Sequence, residues 1–234
     1  MENTTINRTT ILSTILEKKA VAVIRLGSSI HALSIVSALQ KGGITIVEIT
    51  LTTPNALEII YQLNRYSSSS GLLVGAGSVL DSAAAEHCLE AGAKFIVSPV
   101  MKPEIIHTAH AAGAPALMGA FTPSEILSAQ EAGADIVKVF PADFLSPVYF
   151  KAVKAPMPHL RLMPTGGVTL TNAGEWLQAG ASAVGIGGAL LDAKAVTEER
   201  FDVLTANAET FVRSIATALV PSNEAPCAES ESGK

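Results

Sequence analysis

The chain has 234 residues, within the span that barrels and other large α/β folds occupy as one domain. Hydrophobic residues make up 48% and charged residues only 16%, so some helix faces are expected to be buried against sister subunits, while a net charge of -5 without any basic run argues against a nucleic-acid partner. Cys88 and Cys227 are too few for a disulfide framework and have no C-x-x-C spacing for zinc or redox chemistry, which makes a reducing compartment the default.

Residues 1–20 are polar, include Glu2, Glu17, Lys18 and Lys19, and lack the apolar core of a signal peptide; a cytoplasmic address is the simplest expectation. The triplets Asn3-Thr4-Thr5 and Asn7-Arg8-Thr9 have the glycosylation pattern but carry no meaning without secretion. No apolar run is long enough to cross a bilayer, because Gly, Pro or a charge interrupts each one. Residues 11–16 predict a short helix ahead of the first strand.

From there a unit recurs. Lys41-Gly42-Gly43, Ala91-Gly92-Ala93, Ala112-Gly113-Ala114, Ala132-Gly133-Ala134 and Ala179-Gly180-Ala181 each join a helix end to a strand start, since glycine ends helices in the left-handed conformation at no steric cost. Short apolar runs at 21–24, 44–50, 72–75, 95–97, 115–118, 136–140, 160–164 and 183–186 predict eight strands, and their near-continuous apolarity suits a parallel sheet covered on both faces. Thr53-Pro54, Thr122-Pro123 and Ser146-Pro147 put a capping hydroxyl before a proline, and Thr122-Pro123-Ser124-Glu125 reads as a capping box. Strand and helix thus alternate eight times, the rhythm of a single (β/α)8 TIM barrel over residues 1–220, with the doubly wound open sheet as alternative. Residues 221–234 are polar and biased, and predict a disordered tail that leaves Cys227 a bystander.

Charge inside a barrel strand is costly. Arg25, Glu48 and Lys138 nevertheless fall toward the C-terminal ends of their strands, where barrels carry catalytic groups, whereas Lys94, Asp135 and Arg161 fall at strand beginnings and read as structural bottom-rim charges. One reading is a buried Glu48–Lys138 ion pair, or a Lys138 that snorkels to the mouth. The other uses both groups: a lysine in a low-dielectric pocket loses part of its proton, the amine attacks a ketone to give an imine, and Glu48 moves protons beside it. Two glycine-rich turns, at Gly166-Gly167 and Gly187-Gly188 after the seventh and eighth strands, match the usual barrel phosphate site. His107 and His110 face no further ligand and read as surface residues; Trp176 and the three tyrosines read as packing or interface residues.

With these residues assembled, the chain resembles the 2-keto-3-deoxy-6-phosphogluconate / 4-hydroxy-2-oxoglutarate aldolases, class I pyruvate aldolases with a small barrel, over about residues 18–218. The likeness is carried by Val47-Glu48-Ile49-Thr50, Gly75-Ala76-Gly77-Ser78-Val79-Leu80, Ser98-Pro99, Val137-Lys138-Val139-Phe140-Pro141-Ala142, Pro164-Thr165-Gly166-Gly167 and Ile186-Gly187-Gly188. It implies Lys138 as the imine-forming lysine, Glu48 as general acid/base, Ser78 and Thr165 at the pyruvate end, and Gly166, Gly167, Gly187 and Gly188 around the phosphate. It implies a homotrimer that needs no metal or cofactor and cleaves a phosphorylated keto-deoxy sugar acid to pyruvate and glyceraldehyde 3-phosphate, with 4-hydroxy-2-oxoglutarate as a further substrate. The alternatives are the phosphogalactonate aldolase of the same family, and a phosphate-binding epimerase or isomerase barrel outside it. Three positions depart from the family's pattern: Thr52 stands where some members carry a carboxylate-binding Arg, a role that Arg25 could take; Ala189 stands where a Ser is common; and Met118 replaces a Pro, which is expected to reshape one pocket wall.

Overall fold

The computed structural model describes residues 7–67 and 71–219; the expected tail, Cys227 and the Asn3-Thr4-Thr5 triplet lie outside them. Its elements run α1 (Arg8–Lys18), β1 (Ala20–Ile24), α2 (Ala32–Lys41), β2 (Ile46–Thr50), α3 (Ala56–Ser67), β3 (Leu73–Gly77), α4 (Ser82–Glu90), β4 (Ile96–Val97), α5 (Pro103–Ala111), β5 (Ala116–Ala120) and α6 (Pro123–Glu131). They continue with β6 (Ile136–Val139), a 3-10 turn (Ala142–Phe144), α7 (Pro147–Lys154), β7 (Leu162–Pro164), α8 (Ala173–Gln178), β8 (Val184–Ile186), α9 (Ala193–Thr197) and α10 (Phe201–Leu219). All strand pairs are parallel and the sheet order is β7-β6-β5-β4-β3-β2-β1-β8, with no reversal of the kind that a doubly wound sheet requires. A bridge between Thr165 and Gly185 joins the two remaining edges and closes a (β/α)8 barrel.

Side chains alternate across each strand, and that period of two divides the core into two layers. Inside the barrel, Val21, Ile46, Leu73, Phe95, Val97, Leu117, Ile136, Met163 and Ala183 pack together with Ile11 and Ile15 of α1. Helix α1 therefore plugs the bottom, as residues 11–16 suggested. The outward-facing residues pack under the helices, where Trp176 meets Phe150 edge-on with ring centroids 5.1 Å apart. Gly43, Gly92, Gly113, Gly133 and Gly180 all have positive φ, between 72° and 101°, so the recurrent helix stop is a backbone requirement and not a compositional accident.

Several local expectations change. Thr122 caps α6 with the full capping box, but Ser146 makes no side-chain cap bond, and α3 begins at Ala56, beyond Thr53-Pro54. Thr53 is buried and its hydroxyl accepts the amide of Leu26 at 3.1 Å, tying the end of β2 to the loop after β1. Met118 lies within β5, which continues to Ala120; because Leu117 and Gly119 face inward, Met118 faces the helices and is no part of a pocket wall.

His107 is exposed, but His110 is half-buried and belongs to the bottom-rim cluster around Asp135. The buried Asp135 carboxylate takes the Arg8 guanidinium at 2.7 and 2.9 Å, the His110 ring at 2.9 Å and the amide of Ala116 at 2.9 Å. It fastens α1, α5 and β5 to the start of β6. Hydrogen bonds to a charged group contribute about 1.5–3 kcal/mol each, and removing the carboxylate orphans a buried amide. We expect Asp135→Ala to lower the unfolding free energy in urea by about 2–3 kcal/mol without altering chemistry at the opposite end; unchanged stability would show that α1 is held by its apolar contacts alone.

Candidate active site

Glu48 and Lys138 come two residues after inward-facing Ile46 and Ile136, so the same alternation points both into the barrel, one layer above the apolar plug. They reach across from opposite sides. Lys138 Nζ donates to Glu48 Oε1 at 3.3 Å, and the two side chains are 6% and 1% exposed. Two charges out of water are tolerable only when paired and supplied with hydrogen bonds. This pair is incompletely supplied: Glu48 Oε2 is buried without a partner, and so is Thr165 Oγ1 at the end of β7. An unsatisfied buried acceptor costs about 1–3 kcal/mol, so these atoms mark where a bound molecule would be stabilised.

The room for this arrangement comes from glycines on the inner face of the strands. A Cβ on Gly77 would overlap the Glu48 carboxylate, and one on Gly75 would overlap the Phe95 ring. One on Gly119 would overlap the Pro99 carbonyl, and one on Gly185 would come within 2.5 Å of Thr165 Oγ1. Each glycine is thus the seat of a neighbouring side chain or loop. Ser78, directly after β3, holds a left-handed conformation with φ 60°, which costs a residue with a Cβ about 1–3 kcal/mol and so requires its surroundings to fix it.

Above the pair the mouth opens into a cavity of about 530 Å³ whose lining includes Arg25, Phe140, Asp143, Thr165, Gly166, Gly167, Gly187, Gly188 and Ala189. It therefore brings together both glycine turns, Thr165 and Arg25. Arg25 is exposed and is the only Lys or Arg of this lining. Glu48, Lys138 and Ser78 do not line it; they lie deeper or toward β3. A larger groove, of about 820 Å³, runs outside the barrel between α2, α3 and α10 and holds none of the expected residues. Thr52 is turned into a hydroxyl chain, with its Oγ1 3.0 Å from that of Thr50, which in turn is 3.3 Å from that of Thr53. Among the described residues no group of three or more His, Cys, Asp or Glu side chains is placed to hold a metal ion.

Asp143 is the residue that sequence reasoning missed. It sits in the 3-10 turn five residues after Lys138, and its Oδ1 accepts the amide of Gly167 at 2.9 Å. The available signal was a carboxylate just past the C-terminal end of a strand already marked by a lysine.

The chain matches the model of the KDPG and KHG aldolase family over residues 11–207. It is 35% identical over 183 residues to a 2-dehydro-3-deoxy-phosphogluconate aldolase of Pseudomonas aeruginosa, covering 78% of this chain and 82% of that one. A probable 2-dehydro-3-deoxy-6-phosphogalactonate aldolase of Rhizobium meliloti is 34% identical over 176 residues, or 75% of this chain and 82% of the other. Among solved structures, a KDPG aldolase from Legionella pneumophila with pyruvate captured as a covalent carbinolamine superposes with a TM-score of 0.77 at 26% identity, covering 86% of this chain and 96% of that one.

We expect Gly77→Ala, whose Cβ would meet Oε1, Cδ and Cγ of Glu48 and no backbone atom as near, to push the Glu48 carboxylate off Lys138. A misplacement of this kind can cost about 10²-fold in turnover. Undiminished aldol cleavage by a folded Gly77→Ala variant would contradict the importance of this geometry.

Proposed function

The chain belongs to the KDPG and KHG aldolase family, and from that membership we propose that it is a class I aldolase cleaving 2-dehydro-3-deoxy-6-phosphogluconate to pyruvate and glyceraldehyde 3-phosphate. The observation that carries this reading is the buried contact between Lys138 Nζ and Glu48 Oε1 beneath a mouth lined by two glycine turns. A buried lysine beside a carboxylate can exchange its proton without solvent, and its free amine is the nucleophile that imine chemistry needs.

In the proposed cycle Lys138 Nζ attacks the C2 carbonyl carbon, and loss of water gives a protonated imine that withdraws electrons from the neighbouring carbon–carbon bonds. Glu48 takes the proton of the C4 hydroxyl through its otherwise unpartnered Oε2. The C3–C4 bond breaks, its electron pair becomes the enamine on Lys138, and the aldehyde phosphate departs. Protonation of the enamine at C3 and addition of water to the imine then release pyruvate and restore the amine. Because the iminium supplies the polarisation, the cycle as written calls for no metal or cofactor.

Thr165 Oγ1 and Ser78 are assigned to the pyruvate end. The turns at Gly166-Gly167 and Gly187-Gly188 are assigned to the phosphate, where backbone amides offer donors without requiring the hydroxyl that Ala189 lacks. Arg25 is assigned to the substrate carboxylate as the only Lys or Arg lining the mouth. The exposed apolar side chains of Ile30, Leu33, Phe144 and Val148 are surface that subunit contacts would cover, in keeping with a homotrimer. No helix among the described residues is long and apolar enough to cross a membrane, and we assign the enzyme to the cytoplasm. Since the Rhizobium relative named for the galactonate series is as similar as the gluconate one, cleavage of the C4 epimer is the second reading, and 4-hydroxy-2-oxoglutarate a further candidate substrate.

Assay of both C4-epimeric phosphorylated keto acids, in the parent chain and in Glu48→Gln, tests the proposal. Proton transfer by a positioned group contributes about 10² to 10⁴, so the variant is expected to lose that factor in turnover while remaining folded. The epimer with the higher kcat/KM identifies the series. Near-normal turnover by a folded Glu48→Gln variant would remove Glu48 from the mechanism, and cleavage of neither epimer would refute the substrate assignment.

A further inference from the structure

Two consecutive residues with positive φ, Gly166 at 91° and Gly167 at 67°, form the turn after β7. Glycine alone takes such a path easily, but it also has the most freedom to leave it, so a turn of this kind does not hold its amides in one direction unaided. The structure supplies two ties, both from the segment that follows the Lys138 strand. The amide of Ala142 donates to the Thr165 carbonyl at 2.9 Å, and Asp143 Oδ1 accepts the amide of Gly167 at 2.9 Å. The fit is close on both residues: a Cβ on Gly166 would overlap the Asp143 carboxylate, and one on Gly167 would come within 3.1 Å of Asp143 Cα.

We propose that Asp143 is a positioning residue that sets the geometry of the phosphate turn by clamping the Gly166-Gly167 backbone. This inference rests on the reading of the mouth as a phosphate site. The carboxylate is on the wrong side of the charge balance to attract a dianion, so its electrostatic effect on the ligand is adverse and its contribution is geometric. Gly167's amide is taken by Asp143 and so is not free for an anion. By contrast, no side chain among the described residues accepts the amides of Gly166, Gly188 or Ala189, which leaves them for an anion at the mouth. Asp143 also links two steps of the site, because one short turn connects the strand of Lys138 to the end of β7, where Thr165 Oγ1 faces inward without a partner. A carboxylate that only blocked an amide would oppose phosphate; one that braces the turn favours it, and the two roles predict opposite signs.

The test compares Asp143→Ala, which loses the acceptor, with Asp143→Asn, which keeps an oxygen acceptor and loses the charge. Asp143 is exposed, so both substitutions avoid the core. Binding of inorganic phosphate by calorimetry, thermal melting, and KM and kcat with the phosphorylated keto acid are measured on the full chain. The hydrogen bond that holds the turn is expected to be worth about tenfold here: Asp143→Ala weakens phosphate binding and raises KM by that factor, with a smaller change in kcat, while Asp143→Asn, which keeps the acceptor and sheds the adverse charge, binds phosphate at least as tightly as the parent chain. Tighter phosphate binding in Asp143→Ala, an Asp143→Ala variant indistinguishable from the parent, or an Asp143→Asn variant that falls as far as Asp143→Ala overturns the proposal. If the parent chain itself binds no phosphate, the reading of the mouth fails with it, an outcome that needs no variant to recognise.

Discussion

The arrangement of this barrel depends on one pair of charges held out of water. Lys138 and Glu48 meet at 3.3 Å across the interior, and desolvating both is costly unless the surrounding geometry compensates. The interior answers by dividing its length. The lower layers are filled by aliphatic and aromatic side chains and closed from below by Ile11 and Ile15, so water has no route to the pair from that end. The upper layer is left thin by Gly75, Gly77, Gly119 and Gly185, each of which yields the volume that a neighbour occupies. A side chain at Gly77 would take the space of the Glu48 carboxylate, and the plug covers the pair from below.

The same constraint explains why so much of the site is carried by short turns after the strands. A parallel barrel presents all its strand C-termini at one end, and the polar atoms left over there must be satisfied by loops or by a ligand. Loops satisfy most of them: Thr53 takes the amide of Leu26, Ala142 serves the Thr165 carbonyl, and Asp143 serves Gly167. Glu48 Oε2 and Thr165 Oγ1 are left without a partner. At the opposite end every oxygen of Asp135 is occupied, which is the contrast expected between a structural carboxylate and a chemical one.

What could be read from sequence follows this division between local and distant causes. The helix stops at Gly43, Gly92, Gly113, Gly133 and Gly180 were legible because each depends on one residue's backbone freedom, and Glu48 and Lys138 were legible as charges toward the C-terminal ends of otherwise apolar strands. Thr53-Pro54 looked like a helix cap but serves a contact 27 residues away, and a hydroxyl-proline pair carries no sign of that. The pocket-wall expectation for Met118 rests on its replacing a Pro of the family's pattern, which says nothing of the face it takes; within β5, which runs to Ala120, it faces the helices. His110 reads as a surface residue from sequence and Asp143 is not singled out, for a shared reason: each acquires its partner only when the fold brings distant segments together.

In the proposed cycle Lys138 becomes covalently attached to the substrate's C2 carbon. Incubation with pyruvate and borohydride, followed by peptide mass spectrometry, measures this directly, because reduction fixes an imine and leaves an unreacted ketone or a salt-bridged amine unlabelled. Loss of activity together with a reduced pyruvyl adduct on Lys138 is the expected result. An unmodified Lys138 in an enzyme that keeps full activity would contradict it.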